Sequence, residues 1–105
     1  MNVNVLKVEE DSVCTLHVSG LLDYSTMGSF IEEVHSIKNG TKRVIINFEG
    51  LEFIDSTGIG AIINLAHEAN EKQFNVELVG ISEENEALFN MIGVFEIMEA
   101  LQMEG

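Results

Sequence analysis

The sequence has no proline, a single cysteine and only five basic residues among its 105. Without proline or a low-complexity tract it has no segment typical of a linker, and we find no internal repeat. One cysteine, Cys14, cannot form an intramolecular disulfide. Because Cys14 lies in an alternating apolar stretch, we expect it to be a small core residue. The length is typical of one domain, so we expect a single domain over residues 1–105.

Positive charge is scarce, since five Lys and Arg stand against 18 Asp and Glu, for a net charge of −13. Such a field repels nucleic acid and anionic lipid and tolerates a basic protein partner. The same charge could also serve solubility alone, and both interpretations stay open. Apolar runs are too short for a membrane span, and the start at Met1 lacks the features of a signal peptide. We therefore expect a cytoplasmic protein.

The apolar residues follow two different periods, which predicts both strands and helices. Alternation near the start predicts a hairpin with strands over residues 3–8 and 13–18, a polar turn over 9–12, and Gly20 closing the second strand. A β-branched run over 44–48 predicts a strand covered on both faces.

Helical spacing recurs in three later segments. The first segment, which precedes Gly40, has its apolar residues at Met27, Phe30, Ile31, Val34 and Ile37. The second begins at residues 55–58, after a turn at Glu49-Gly50, and the third runs from Ser82 to Gly93 with Leu88, Met91 and Ile92 on its apolar face.

A further strand over 76–79, ended by Gly80, completes the element order strand, strand, helix, strand, helix, strand, helix. Strands separated by helices lie parallel through right-handed crossovers. The sequence therefore predicts a small α/β domain, with a mixed sheet and helices packed on it. Residues 94–105 could form a short helical turn or an edge strand.

Residues typical of catalysis are dispersed along the chain. His17, His35 and His67 lack the close spacing of a metal pair, so we expect no metal site. The glycines form neither a dinucleotide fingerprint nor a P-loop, and we expect no cofactor. Ser56 stands beside Asp55, but no motif supplies the histidine that a serine nucleophile needs. An enzyme, such as a nucleotide hydrolase, is the weakest of the functional hypotheses.

Small polar residues between a buried strand and a helix start distinguish residues 53–60. One interpretation is structural: Asp55 or Ser56 caps the helix, and the glycines allow close packing. The other is functional, because a hydroxyl at this point is exposed on a rigid base.

Three segments of the chain resemble the STAS domain family. Asp55-Ser56-Thr57-Gly58, between residues 51–54 and Ile59-Gly60, resembles the signature of the bacterial anti-sigma-factor antagonists. Residues 18–23 are similar to the Gly-Glu-Leu-Asp turn of that family, with Leu21 in place of its acidic residue. Residues 88–94 are similar to the end of its third helix.

The resemblance implies the roles of five residues. Ser56 would accept a phosphate, and Thr57 would be the less favoured acceptor beside it. Asp23, Asp55 and Gly58 would belong, with those two, to the surface that binds a partner.

By the same resemblance, the unmodified protein would bind a Ser/Thr kinase of the histidine-kinase-like ATPase fold. Phosphorylation of Ser56 would release it, and a phosphatase of the PP2C type would reverse the switch. ATP and magnesium would belong to the kinase, and we expect a monomer. The output could be control of a sigma factor, secretion, motility or biofilm formation. The alternative is a STAS subunit of a lipid-transport ABC system or a signalling scaffold.

Overall fold

A computed structural model describes residues 3–93 of the chain, in which strands and helices alternate after an initial hairpin. The elements are β1 Val3–Glu10, β2 Val13–Leu22, α1 Met27–His35, β3 Arg43–Ile54, α2 Ser56–Lys72, β4 Asn75–Val79 and α3 Glu83–Ile92. The predicted order of elements is confirmed. Residues 94–105, for which two alternatives were open, lie outside the described part.

One four-stranded sheet, in the order β1-β2-β3-β4, organises the fold. The β1–β2 pair is antiparallel, whereas β2, β3 and β4 are parallel to one another. Asp11 and Ser12, at φ 49° and 67°, form the tight turn of the hairpin. A two-residue turn with both φ values positive matches the twist of the paired strands. The prediction of a small mixed sheet with helices is confirmed.

The hydrophobic core lies between the sheet and the helices. Alternate residues of β2 and β3 are fully buried, as are the residues of α2 that face them, because a strand repeats every two residues and a helix every 3.6. The buried set includes Cys14, Leu16, Val18, Val44, Ile46, Phe48, Ile59, Ile62, Leu65 and Ala66. Burial, more than any other influence, raises the pKa of the Cys14 thiol, so the thiol stays protonated and packs as an apolar group.

The long β3 strand corrects two predictions about turns. Glu49-Gly50 is part of β3, and β2 continues through Gly20 to Leu22. The pairing of β2 with β3 shifts register beside Ser19 and again after Gly20. Glycine inside a strand is typical of such a bulge, which a single sequence does not distinguish from a turn.

Two other boundaries differ from the prediction. The polar turn is shorter, because Glu9 and Glu10 pair with β2 and leave only Asp11 and Ser12 in it. The first helix ends at His35, so Ile37 lies beyond it although its side chain is buried in the core. The prediction that α3 ends at Gly93 is confirmed, and the φ angle of Gly93 is 78°.

Candidate functional site

The junction of β3 and α2 holds the residues that the sequence analysis singled out. Asp55 has extended backbone and caps α2, since its Oδ1 accepts a hydrogen bond from the Gly58 N–H at 2.9 Å. Of the two capping residues left open by the sequence, Asp55 is therefore the one that caps. Ser56 is the first helical residue and is exposed, whereas Thr57 is half-buried.

Gly58 lies in the first turn of α2, where this helix packs against the end of β2. A Cβ at this position would be 2.4 Å from the Leu22 carbonyl oxygen and 2.8 Å from Ile54 Cγ1. The Asp55 N–H also donates to the Leu22 carbonyl, at 3.3 Å. Gly58 was predicted to be part of the partner-binding surface; it is buried, and its contact with Leu22 explains why glycine stands here.

The loop after β2 is ordered by its own side chains. Asp23 Oδ1 accepts hydrogen bonds from the Ser25 N–H at 3.0 Å and from the Ser25 hydroxyl at 2.7 Å. The buried Thr26 hydroxyl donates to the Leu21 carbonyl at 2.7 Å and accepts from the Asp23 N–H at 3.0 Å. The hydrogen bond from the Ser25 hydroxyl is the main cause that lowers the pKa of the Asp23 carboxyl.

Leu22 joins these two segments into one structural unit. Asp23 directly follows Leu22, and the Leu22 carbonyl accepts the N–H of Asp55, the residue before Ser56. The predicted residues Asp23, Asp55, Ser56 and Thr57 thus lie at one end of the sheet. We call these four residues the Ser56 surface.

Two exposed aromatic residues stand close in the chain to residues of the Ser56 surface, and the sequence analysis did not identify either. Tyr24, in the loop, is 81 % exposed, and Phe53, next to the end of β3, is 51 % exposed. Phe53 pairs with Leu21 across the sheet, just beyond the register shift. The only available signal was an aromatic residue close to each motif. Phe53 directly precedes the buried Ile54, and neighbouring residues of a strand point to opposite faces of the sheet, so its side chain lies on the exposed face.

Charge is distributed unevenly between the two ends of the sheet. Asp23 and Asp55 belong to the Ser56 surface, and Glu52 precedes it on β3. All five Lys and Arg lie elsewhere, with Arg43 at the start of β3 and Lys72 at the end of α2. Arg43 pairs with Glu77 at 2.6 Å and Lys72 pairs with Glu68 at 3.2 Å. Negative charge therefore dominates the electrostatic field around Ser56.

Within residues 3–93, none of the three histidines adjoins Ser56. His17 and His67 are exposed on β2 and α2, and His35, at the end of α1, is 3.4 Å from Glu68. No hydrogen bond joins Ser56 to a histidine within residues 3–93. In the same part of the chain, no three His, Cys, Asp or Glu residues are grouped so as to hold a metal ion. Nor does any helix between residues 3 and 93 have the length and apolar character needed to span a membrane.

A family model of the STAS domain matches residues 4–104. The chain belongs to the STAS domain family. The resemblance seen in the three sequence segments is thereby confirmed. The match covers nearly the whole chain. That residues 1–105 form a single domain stays a prediction.

Among curated proteins, this STAS protein is similar to the anti-sigma-B factor antagonist of Staphylococcus aureus. The two are 26% identical over 99 residues, which are 93% of this chain and 92% of that protein.

Two solved structures share the fold. An anti-sigma factor antagonist from Mycobacterium paratuberculosis matches with a TM-score of 0.79 at 16% identity, over 90% of this chain and 80% of that one. The phosphorylated form of the Bacillus cell fate determinant SpoIIAA matches with a TM-score of 0.69 at 19% identity, over 90% of this chain and 86% of that one.

Proposed function

We propose that this STAS protein is a regulatory binding protein of the anti-sigma-factor-antagonist type, switched by phosphorylation of Ser56. Unmodified, it binds a Ser/Thr kinase of the histidine-kinase-like ATPase fold; phosphorylated, it is released. The observation that carries the proposal is the exposed Ser56 hydroxyl at the first residue of α2, beside the Asp23 loop. The similarity to an anti-sigma-B factor antagonist over 93% of the chain supports it.

The fold tolerates a phosphate at Ser56. A phosphoserine adds about 1.5 to 2 negative charges. At the first turn of α2, the backbone N–H groups and the helix dipole favour an anion. Modification therefore leaves the domain folded and changes its surface.

Binding changes because the surroundings of Ser56 are acidic. Asp55 precedes it, Asp23 lies across the Leu22 junction, and no Lys or Arg of the chain lies at this end of the sheet. A partner that fits the unmodified surface meets a dianion in place of a hydroxyl. Local charge thus operates the switch without refolding.

Ser56 is the favoured acceptor of the two neighbouring hydroxyls. A kinase active site must enclose the attacking hydroxyl, and Ser56 is exposed whereas Thr57 is half-buried. The remaining components follow from the type of protein. A PP2C-type phosphatase removes the phosphate, ATP and magnesium belong to the kinase, and the antagonist itself is a cytoplasmic monomer without a cofactor.

The test combines mass spectrometry with capture of the kinase. Protein isolated from its own cell is analysed by intact mass and by fragmentation across residues 43–72, and a phosphate on Ser56 is expected. Immobilised wild type, Ser56→Ala and Ser56→Asp are then compared, with Thr57→Val as the matched control. We expect all but Ser56→Asp to retain a kinase of the stated fold.

Two results would contradict the proposal. One is equal retention of the kinase by Ser56→Asp and Ser56→Ala. The other is a protein that is never modified under any growth condition and retains no kinase. The second result would favour the transport or scaffold alternative, in which residues 55–58 serve only as a helix cap and docking surface.

A further inference from the structure

Gly60 is a glycine that the fold does not require. It lies inside α2, where glycine is less favourable than alanine because it loses more backbone freedom on folding. A Cβ at Gly60 would meet no atom within 4 Å, and its φ is not in the left-handed region. Gly58, two residues earlier, has a Cβ position only 2.4 Å from a backbone oxygen.

The position of Gly60 relates it to Ser56. Residues four apart on a helix are neighbours on the same face. Gly60 is exposed, whereas Ile59 and Ala61 on either side of it are buried in the core. A protein that binds over the exposed face of α2 at Ser56 therefore also lies next to the backbone at Gly60.

We infer that Gly60 is part of the kinase-binding surface, because its missing side chain lets the kinase pack directly against the backbone of α2 one turn beyond Ser56. This inference rests on the proposed function. The other exposed groups nearby indicate what the kinase surface contributes. Tyr24 offers exposed apolar area in the loop beside the site, and the nearby charges of Asp23 and Asp55 are acidic. The complementary surface is thus an apolar one with a basic margin.

The test compares two substitutions at Gly60 with a matched control. Gly60→Ala adds one methyl group, and Gly60→Gln adds a long polar side chain. His67→Gln places the same new side chain at an exposed position of α2, about 10 Å further along the helix axis. The probe is the purified kinase that the wild-type protein retains in the capture experiment above. Its affinity for each variant is measured by calorimetry, and thermal unfolding is recorded in parallel.

For Gly60→Ala, we expect the Tm to rise and the kinase affinity to fall. Gly60→Ala raises the Tm by about 2–6 °C, because alanine has a higher helix propensity than glycine. The kinase affinity falls about tenfold for Gly60→Ala and about a hundredfold for Gly60→Gln, since added atoms overfill a packed contact. His67→Gln binds like the wild type. The kinase phosphorylates Ser56 in Gly60→Gln correspondingly more slowly.

Three outcomes would overturn the inference: unchanged affinity in Gly60→Gln, an equal loss in His67→Gln, or a Tm that falls in Gly60→Ala. The last would show that the fold itself requires the glycine. Failure of the proposed function is a separate result, because the wild-type protein would then retain no kinase. A wild type that binds, a Ser56→Asp that does not, and a Gly60→Gln that binds normally would contradict this inference alone.

Discussion

The Leu22 carbonyl oxygen lies so close to Gly58 that a Cβ there would be 2.4 Å from it. The obstacle is backbone, and the same oxygen accepts the Asp55 N–H at 3.3 Å, so it cannot move aside without loosening the start of α2. We therefore expect Gly58→Ala to lower the free energy of unfolding by about 1–3 kcal/mol, as overpacking does. Urea denaturation measures this change in the free energy of unfolding.

The matched control for this change is Gly60→Ala, the same substitution two residues along the same helix. No atom lies within 4 Å of the added methyl group, so a gain of about 0.5–1 kcal/mol is expected from helix propensity. If both variants shifted stability in the same direction, the contact between Gly58 and Leu22 would not explain the glycine.

Asp55 is expected to stabilise α2 mainly as a cap. Its Oδ1 accepts the Gly58 N–H at 2.9 Å, and replacing such a cap by alanine costs about 1 kcal/mol. Asp55→Ala should show this loss in urea denaturation. Asp55→Asn, which keeps the acceptor and removes the charge, should retain most of the stability. A loss of equal size in Asp55→Asn would show instead that the carboxylate charge is what matters.

The Asp23 carboxyl is expected to titrate below the ordinary range of an aspartate, because the Ser25 hydroxyl stabilises its ionised form. A folded pKa below the unfolded one contributes stability above the unfolded pKa, near 3.9, and that stability is lost as pH falls through the folded value. Carbon-detected NMR titration of the carboxyl gives the pKa directly.

Ser25→Ala tests the cause of that shift. Without the hydroxyl, the Asp23 pKa should rise toward the ordinary value, and the stability that Asp23 loses on acidification should become smaller. Ser29→Ala, a similar change outside this turn, should leave the titration unaltered. An unchanged Asp23 pKa in Ser25→Ala would assign the shift to other groups of the loop.

The elements of this fold were predictable where a local pattern decides them. The hairpin, the three helices and the Gly93 end follow from periodicity and caps that each segment carries itself. The passage of β3 through Gly50 was not predictable in the same way, because it depends on Ser19 of the neighbouring strand. A Cβ at Gly50 would lie 2.7 Å from Ser19 Cβ, and only the paired strands show this contact.

The candidate site was likewise predictable from the sequence only in part. Ser56 and Asp55 stand together in a short segment, so their exposure and capping geometry could be anticipated from residue type. The role of Gly58 against Leu22 depends on two residues more than 30 positions apart. The open space around Gly60 likewise becomes visible only once the neighbours of α2 are placed.

Phe89 is expected to hold α3 to the rest of the domain. Its side chain is fully buried, and its ring meets that of Phe48 edge-on, with centroids 6.0 Å apart and planes at 84°. Truncating a buried phenylalanine costs about 3–5 kcal/mol, so Phe89→Ala should approach the limit of stability for a small domain. Phe53→Ala is the control, because the same truncation at a 51 % exposed side chain removes far less buried surface. Hydrogen exchange of the α3 amides should rise strongly in Phe89→Ala and stay unchanged in Phe53→Ala. Equal effects of the two substitutions would mean that other contacts hold α3 in place.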